Sequence, residues 1–461
     1  VGEWTTTSIG YGDGKSIILE KEIEYPHSLG LLYSAFTYFC GFKVNFGDYK
    51  LMGLAPYGEP VYKSLILDEL IDVKKDGSFR LNLDYFDFQN GRAMTNDAFA
   101  KLFGGERRLP ESLITKREVD MASSVQAVVE DVVLKLAGTA KEMYGDKTDN
   151  LSLAGGVALN CVANGKLLRH GIFKNLWIQP ASGDSGGALG AALYYAHNVR
   201  GIERFRDDKH DIQKGSYLGC SFSDDEIESF LQAKGCKYIK SENIHEDVAE
   251  LLADEKVIGL FEGRMEYGPR ALGNRSIIGD PRSEKMQSKL NLKIKYRESF
   301  RPFAPSVLEE KASDYFKLEG ESPYMLLCAD VKEEIRKSFD LNSELDNSKG
   351  DLLQVVNCPR SSIPAVTHVD YSARIQTVSK ETNPFYYELI KAFEKKTGCA
   401  VIVNTSFNVR GEPIVCTPED AFLCFMRTEM DVLIMGNYIL LKGEQKPLEE
   451  ASDWRKQYEL D

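Results

Sequence analysis

Between positions 261 and 301 the sequence FEGRMEYGPRALGNRSIIGDPRSEKMQSKLNLKIKYRESFR holds ten basic and five acidic residues, a local excess of +5 in a chain of formal charge −13. Such a reversal suits an anion. Arg270, in Tyr267-Gly268-Pro269-Arg270, and Arg275, in Gly273-Asn274-Arg275, sit on turns from which forked donors can converge on phosphate oxygens. Lys285, Lys289 and Lys293 recur at i, i+4 and i+8 and read as a solvated helix face. Lys295, Arg297 and Arg301, in Lys-x-Arg-x-x-x-Arg-Pro-Phe, form the most compact candidate anion clamp.

Other segments carry compatible donors. Residues 404–413 (NTSFNVRGEP) follow a buried strand and gather amides, a hydroxyl and a guanidinium, so Ser406 and Asn408 are candidate contacts to a polyphosphate or polar small molecule. The alternative is a plain strand-to-helix connection whose polar side chains satisfy the backbone. Arg374, in Ser372-Ala373-Arg374, suits a phosphate contact or a surface ion pair equally. In the first half, Gly155-Gly156-Val157-Ala158-Leu159-Asn160 and Ser182-Gly183-Asp184-Ser185-Gly186-Gly187 each join a strand to a helix. There, free N–H groups and the helix dipole favour phosphate. Gly155, Gly156, Asn160, Gly183 and Gly186 are thus candidate nucleotide contacts. Asp184 is a candidate ligand of a metal bridging phosphates, or a helix N-cap. The six histidines show no metal-ligand spacing and read as structural or surface residues.

These residues need a scaffold. Thr5 to Ile9, Asp13-Gly14 and Ser16 to Leu19 predict a hairpin. Residues 28–39 predict a helix ended by Gly41, and the spacing of Met121, Val125, Val128, Val129, Val132, Val133 and Leu136 predicts a long amphipathic helix over 118–144. Two strand–glycine–helix units, beginning NLSLAGG and NLWIQPASGDSGG, follow. The second half is expected to contain strands at 256–263 and 400–405, a helix at 283–294 and an exposed acidic stretch at 331–354. The fold class is α/β, with domains at 1–203 and 217–461, the second ending in a polar tail, and a linker at 204–216.

The 461 residues allow two or three domains, and 43% hydrophobic with 28% charged residues is a folded composition. The −13 charge argues against nucleic acid as a partner, and no apolar run is long enough for a membrane span. Nine cysteines without a C-x-x-C pair, and an N-terminal stretch unlike a signal peptide, predict a cytoplasmic protein. The sequence says nothing of oligomeric state.

Several of these segments occur together in one family. Residues 24–33 (EYPHSLGLLY), 48–58 (DYKLMGLAPYG), 155–160, 182–187, 263–273 (GRMEYGPRALG), 301–305 (RPFAP) and 404–413 resemble the O-carbamoyltransferases of nodulation-factor and antibiotic biosynthesis, along nearly the whole chain. The resemblance implies an actin-like (ASKHA) N-terminal domain followed by a YrdC-like α/β domain. It implies that the YrdC-like domain uses ATP, with Mg, and carbamoyl phosphate to form carbamoyl adenylate. The actin-like domain would then transfer the carbamoyl group to a hydroxyl of a small-molecule or glycan acceptor. By motif, Arg270, Lys295, Arg301 and Arg374 are implied as the catalytic phosphate clamp, Ser406 and Asn408 as nucleotide contacts, and Asp184 as ligand of a divalent metal, expected to be iron. The family's metal-binding histidines precede the motif at Gly2-Glu3, so the resemblance also implies an N-terminally truncated first domain. Asp48 stands where the family pattern suggests glutamate. An actin-like sugar or metabolite kinase leaves the arginine-rich second domain unexplained, and an RNA-binding scaffold conflicts with the net charge.

Overall fold

The computed structural model describes residues 4–14, 16–205, 207, 210–295, 300–448 and 454. Arg297, and the motif at Gly2-Glu3, lie outside the described residues. The chain divides into two compact units, 1–208 and 209–461.

In the first unit, β1 (Thr5–Asp13) and β2 (Ser16–Glu24) form the expected antiparallel hairpin, longer than the β-prone core alone indicates. The helix Leu29–Phe39 starts where the Ser28 hydroxyl accepts from Leu31 N–H at 3.2 Å. The long helix runs over Lys116–Tyr144, two residues earlier than its apolar periodicity suggests. A capping box sets that start: the Glu118 carboxylate accepts from Thr115 N–H at 2.9 Å, satisfying a helix-end donor. Its apolar face buries Met121, Val125, Val128, Val129 and Val132, while Phe36, Phe39, Phe99 and Phe103 make an aromatic cluster beside it. A short hairpin, β3 (Ile71–Val73) and β4 (Phe79–Leu81), precedes that helix. The two glycine-linked units give a parallel pair, β5 (Asn150–Leu153) and β6 (Asn175–Ile178), followed by helices Cys161–His170 and Gly186–Tyr194.

The second unit is built on a nine-stranded mixed sheet. Its strands are β7 (Ile239–Lys240), β8 (Ile258–Phe261), β9 (Arg275–Gly279), β10 (Ala304–Leu308), β11 (Leu327–Asp330), β12 (Ser372–Val378), β13 (Val401–Ser406), β14 (Val432–Met435) and β15 (Tyr438–Leu441). Their spatial order is β11-β12-β10-β13-β9-β8-β14-β15-β7. β8, β9, β10 and β14 are buried at every residue, as strands covered on both faces must be. The helices Ile244–Ala253 and Pro384–Thr397 pack on each other, and Pro418–Arg427 packs on β8 and β14.

The helix expected over 283–294 is shorter: it begins at Met286, runs to Leu290 and continues as a wide turn over Asn291–Lys295. Its start is late because the Ser283 hydroxyl donates to Glu255, 28 residues upstream, at 2.9 Å instead of capping. The widened turn carries Asn291, Ile294 and Lys295 into the interior. The acidic stretch folds into a short helix, Leu341–Asn347, capped by Asp340. Residues 211–216 are hydrogen-bonded into the second unit: Asp211 accepts from Gly215 N–H and Tyr324 Oη, and Ser216 donates to the Tyr267 carbonyl at 2.6 Å.

Candidate functional site

Register alone assembles one end of the large sheet. Arg275 pairs with Phe261, Ser276 with Ser406, Ala304 with Asn404, and Ser306 with Gln376. The starts of β9, β10 and β12 and the ends of β8 and β13 therefore share that end. Arg301 lies three residues before β10, Arg374 lies two residues before Gln376 on the same face of β12, and Ser406 closes β13. The loop 262–274, which carries Arg270, joins β8 to β9 there.

Lys295 is the most constrained of the expected cations. It is 3% exposed, and its ammonium donates to the Asn408 carbonyl and Asn408 Oδ1, both at 2.8 Å, to Ser406 Oγ at 3.3 Å and to the Ser406 carbonyl. A buried cation is tolerated only with such partners. Lys295 therefore fixes the 406–408 turn and holds positive charge beside it. Arg301 is also buried, and its carbonyl is fixed by the Gln287 and Asn291 amides. Arg270 and Arg374 are half-buried.

A buried polar network that composition does not show holds the Arg270 loop. Glu266 Oε1 accepts from the N–H groups of Leu272 (2.6 Å), Asn274 (2.9 Å) and Arg275 (3.4 Å). Burial pushes the Glu266 carboxyl up against the opposing pull of these donors. The Asn404 amide donates to the Ala271 carbonyl at 3.2 Å and to Gln376 at 2.8 Å, and Gln376 donates to the Leu272 carbonyl at 2.8 Å. Tyr386 and Ser306 extend the chain of bonds, with Tyr386 Oη 3.0 Å from Ser306 Oγ. Asn383 ties Asn274 to the Tyr217 hydroxyl. Sequence reasoning missed Glu266, Gln376, Tyr386 and Asn383. The available signal was an acid placed among turn glycines, whose backbone N–H groups need an acceptor.

Arg275 departs from expectation. It is fully buried over the Phe261 ring at 3.7 Å, and it donates to the carbonyls of Glu262 (2.7 Å), Gly263 (3.3 Å) and Asn274 (2.9 Å). Its fork binds the loop rather than facing a ligand, because a turn-bordering arginine can serve carbonyls as well as phosphate. Lys293 is exposed and paired with Glu429 (2.8 Å), in keeping with a solvated face, whereas Lys289 is half-buried and paired with Asp431 (2.7 Å).

In the first unit the two glycine loops meet at the ends of parallel β5 and β6, where the Gly155 N–H donates to the Ser182 carbonyl at 2.9 Å. Gly155 has φ +97°, a conformation suited to glycine. A Cβ on Gly186 would lie 2.1 Å from the Ala181 carbonyl oxygen, whereas Gly156 and Gly183 have room. Asn160 caps the helix Cys161–His170 through Ala163 N–H and exchanges amide hydrogen bonds with Gln126 at 2.9 and 3.1 Å. Asp184 is exposed, and the N-cap of the following helix is Ser185, so Asp184 does not serve as the cap. Among the described residues no three His, Cys, Asp or Glu side chains converge as a metal site. Asp184 alone does not make one.

Comparison with known proteins bears on this arrangement. The family model described as Carbamoyltransferase N-terminus matches residues 1–193, and Carbamoyltransferase C-terminus matches residues 249–442. The uncharacterized protein sll1178 of Synechocystis sp. is 59% identical over the whole of this chain and 74% of its own length. Nodulation protein NolNO of Sinorhizobium fredii is 37% identical over 99% of this chain and 61% of its own length. Nodulation protein NolO of Bradyrhizobium diazoefficiens is 36% identical over 93% and 72%. A solved structure of full-length HypF in the phosphate- and nucleotide-bound form aligns at TM-score 0.28 and 14% identity, over 43% of this chain and 22% of that one, too slight a likeness to carry a conclusion. The two-unit α/β chain is a transferase by these relations. It belongs to the carbamoyltransferase family.

Proposed function

We propose that the chain is an ATP-dependent O-carbamoyltransferase, with a YrdC-like second unit that makes carbamoyl adenylate and an actin-like first unit that transfers the carbamoyl group. The observation that carries this reading is the gathering of Arg301, Arg374, the Arg270 loop and the Lys295–Ser406–Asn408 cluster at one sheet end. Family membership supplies the carbamoyl group; the cations supply a reason for two phosphorylated substrates. The domains are read as 1–203 and 217–461, separated by 204–216.

In this reading, cleavage of carbamoyl phosphate by water releases phosphate and carbamate. A carbamate oxygen attacks the α-phosphorus of ATP, the α–β bridging P–O bond breaks, and pyrophosphate leaves. An acceptor hydroxyl then attacks the carbamoyl carbon and AMP departs. Arg270, Arg301 and Arg374 hold the crowded phosphate oxygens and offset their charge. Lys295 holds Ser406 and Asn408 towards the nucleotide. Gly155, Gly156, Asn160, Gly183 and Gly186 shape the transfer site, where the acceptor is a hydroxylated small molecule or glycan. The reading includes a divalent metal, iron, only as a partner whose further ligands the described residues do not provide. All nine cysteines are free thiols, which supports a cytoplasmic setting. Among the described residues no helix is long and apolar enough to cross a membrane.

The test is product analysis with ATP, carbamoyl phosphate and hydroxylated acceptors. AMP and pyrophosphate released only with carbamoyl phosphate support the reading. ADP formed with a sugar and without carbamoyl phosphate overturns it in favour of a kinase.

A further inference from the structure

Two loops of the candidate site each bring a cysteine to the same point. Cys220 is fastened to the Arg270 loop: its carbonyl accepts from Met265 N–H at 2.8 Å, and Gly219 N–H donates to the Met265 carbonyl at 2.9 Å. Cys416 ends the strap that follows Asn408, whose Val415 N–H donates to the Phe407 carbonyl at 3.0 Å, and Phe407 N–H in turn donates to the Arg275 carbonyl at 2.9 Å. The two sulfurs are 3.3 Å apart, across 196 residues of chain. Both side chains are exposed, whereas Cys40, Cys161, Cys399 and Cys424 are buried and Cys236, Cys328 and Cys358 are half-buried.

Sulfurs in that contact need to approach by only about 1.3 Å to reach covalent length, and both lie in loops rather than in strands or helices. The Arg275 fork, 3.4 Å from the Cys220 carbonyl, places a fixed positive charge beside the pair. Reactive cysteines are the accessible ones. Partial burial and contact with the Cys220 thiol push the Cys416 thiol up.

We propose that Cys220 and Cys416 are a reversible dithiol–disulfide pair, oxidised by a peroxide, that ties the Arg270 loop to the strap following Asn408. The Cys220 thiolate attacks a peroxide oxygen, the O–O bond breaks, and hydroxide leaves as water, giving a sulfenic acid. The Cys416 sulfur then attacks the sulfenic sulfur, the S–O bond breaks, and a second water leaves. Two thiols and one hydrogen peroxide thus yield one disulfide and two waters. A small-molecule dithiol reverses the bond by exchange.

The experiment uses the full chain, treated with hydrogen peroxide, alkylated and digested without reduction. A cross-linked peptide pair containing Cys220 and Cys416, about 2 Da lighter than the sum of its reduced parts, is expected, and dithiothreitol should restore both alkylation sites. Deuterium uptake across 407–417 and 262–268 should fall on oxidation of the wild type and stay unchanged in Cys220→Ser and Cys416→Ser. Oxidation of either cysteine to sulfinic acid without a cross-link overturns the proposal. So does a cross-link that leaves uptake in both segments unaltered.

Discussion

Replacing Glu266 with alanine tests whether the Arg270 loop is held from within. The carboxylate accepts two short bonds, from Leu272 N–H at 2.6 Å and Asn274 N–H at 2.9 Å, and one long bond from Arg275 N–H. Glu266 is 7% exposed, so Glu266→Ala leaves the two main donors buried without acceptors. At about 2 kcal/mol for each stranded donor, the loss is about 4 kcal/mol. Glu266→Gln keeps one carbonyl oxygen for the same N–H groups and escapes the cost of burying a charge, so it should recover more than half of that loss. The assay is peptide-resolved hydrogen exchange across 266–275, paired with urea unfolding. Glu266→Ala should speed exchange of the Leu272 and Asn274 amides by roughly a hundredfold or more. It should also lower carbamoyl-phosphate-dependent pyrophosphate release, with Glu266→Gln intermediate. Unchanged exchange in the alanine variant would refute the reasoning, because these bonds would then not be what shapes the loop.

Three further outcomes follow from the same geometry. Arg275→Lys removes a fork that serves four carbonyls and covers the Phe261 ring, and should cost about 3 kcal/mol, read as a lower melting temperature. Burial, then the nearby Asp224 charge, push the Glu262 carboxyl up to about 7. Its folded value therefore lies above its unfolded one, so its contribution to stability is complete below about pH 4.5 and is lost as pH rises through 7. Urea titrations of Glu262→Gln should show a correspondingly flatter pH dependence across that window. Gly186→Ala drives a Cβ to 2.1 Å from the Ala181 carbonyl oxygen, whereas Gly187→Ala meets nothing within 4 Å. The first should lower first-unit stability by about 2 kcal/mol or more and the second should be neutral, as followed by Trp177 fluorescence.

Local signals carried much of the secondary structure. The hairpin at 5–24 and the helices at 29–39 and 116–144 are legible because an Asp-Gly turn, a helical period ended by Gly41 and a long apolar period lie within or beside the segments they shape. The helix at 286–290 was over-extended, since the partner that takes Ser283 away from capping, Glu255, lies 28 residues upstream. The same limit applies to the site. Charge reversal pointed to the region containing Arg270, Lys295 and Arg301, but not to the role of each cation. Whether a lysine meets carboxylates, as Lys289 meets Asp431, or neutral oxygens, as Lys295 meets Asn408, depends on contacts more than a hundred residues away. Glu266 entered the charge count as a loss of positive charge, although the N–H groups it anchors, of Leu272, Asn274 and Arg275, lie only six to nine residues on in the same loop. Asn404, Gln376 and Tyr386 come from three separate segments, and no spacing within one segment could have joined them.

Direct titration of the full chain with carbamoyl phosphate, and separately with a non-hydrolysable ATP analogue, tests the shared cationic sheet end most sharply. Arg301→Ala and Arg374→Ala should each weaken binding of at least one of the two by about tenfold or more, with steep salt dependence, while Lys289→Ala and Lys293→Ala leave both affinities unchanged. Equal affinities in all four variants, or losses confined to the surface lysines, would contradict the account.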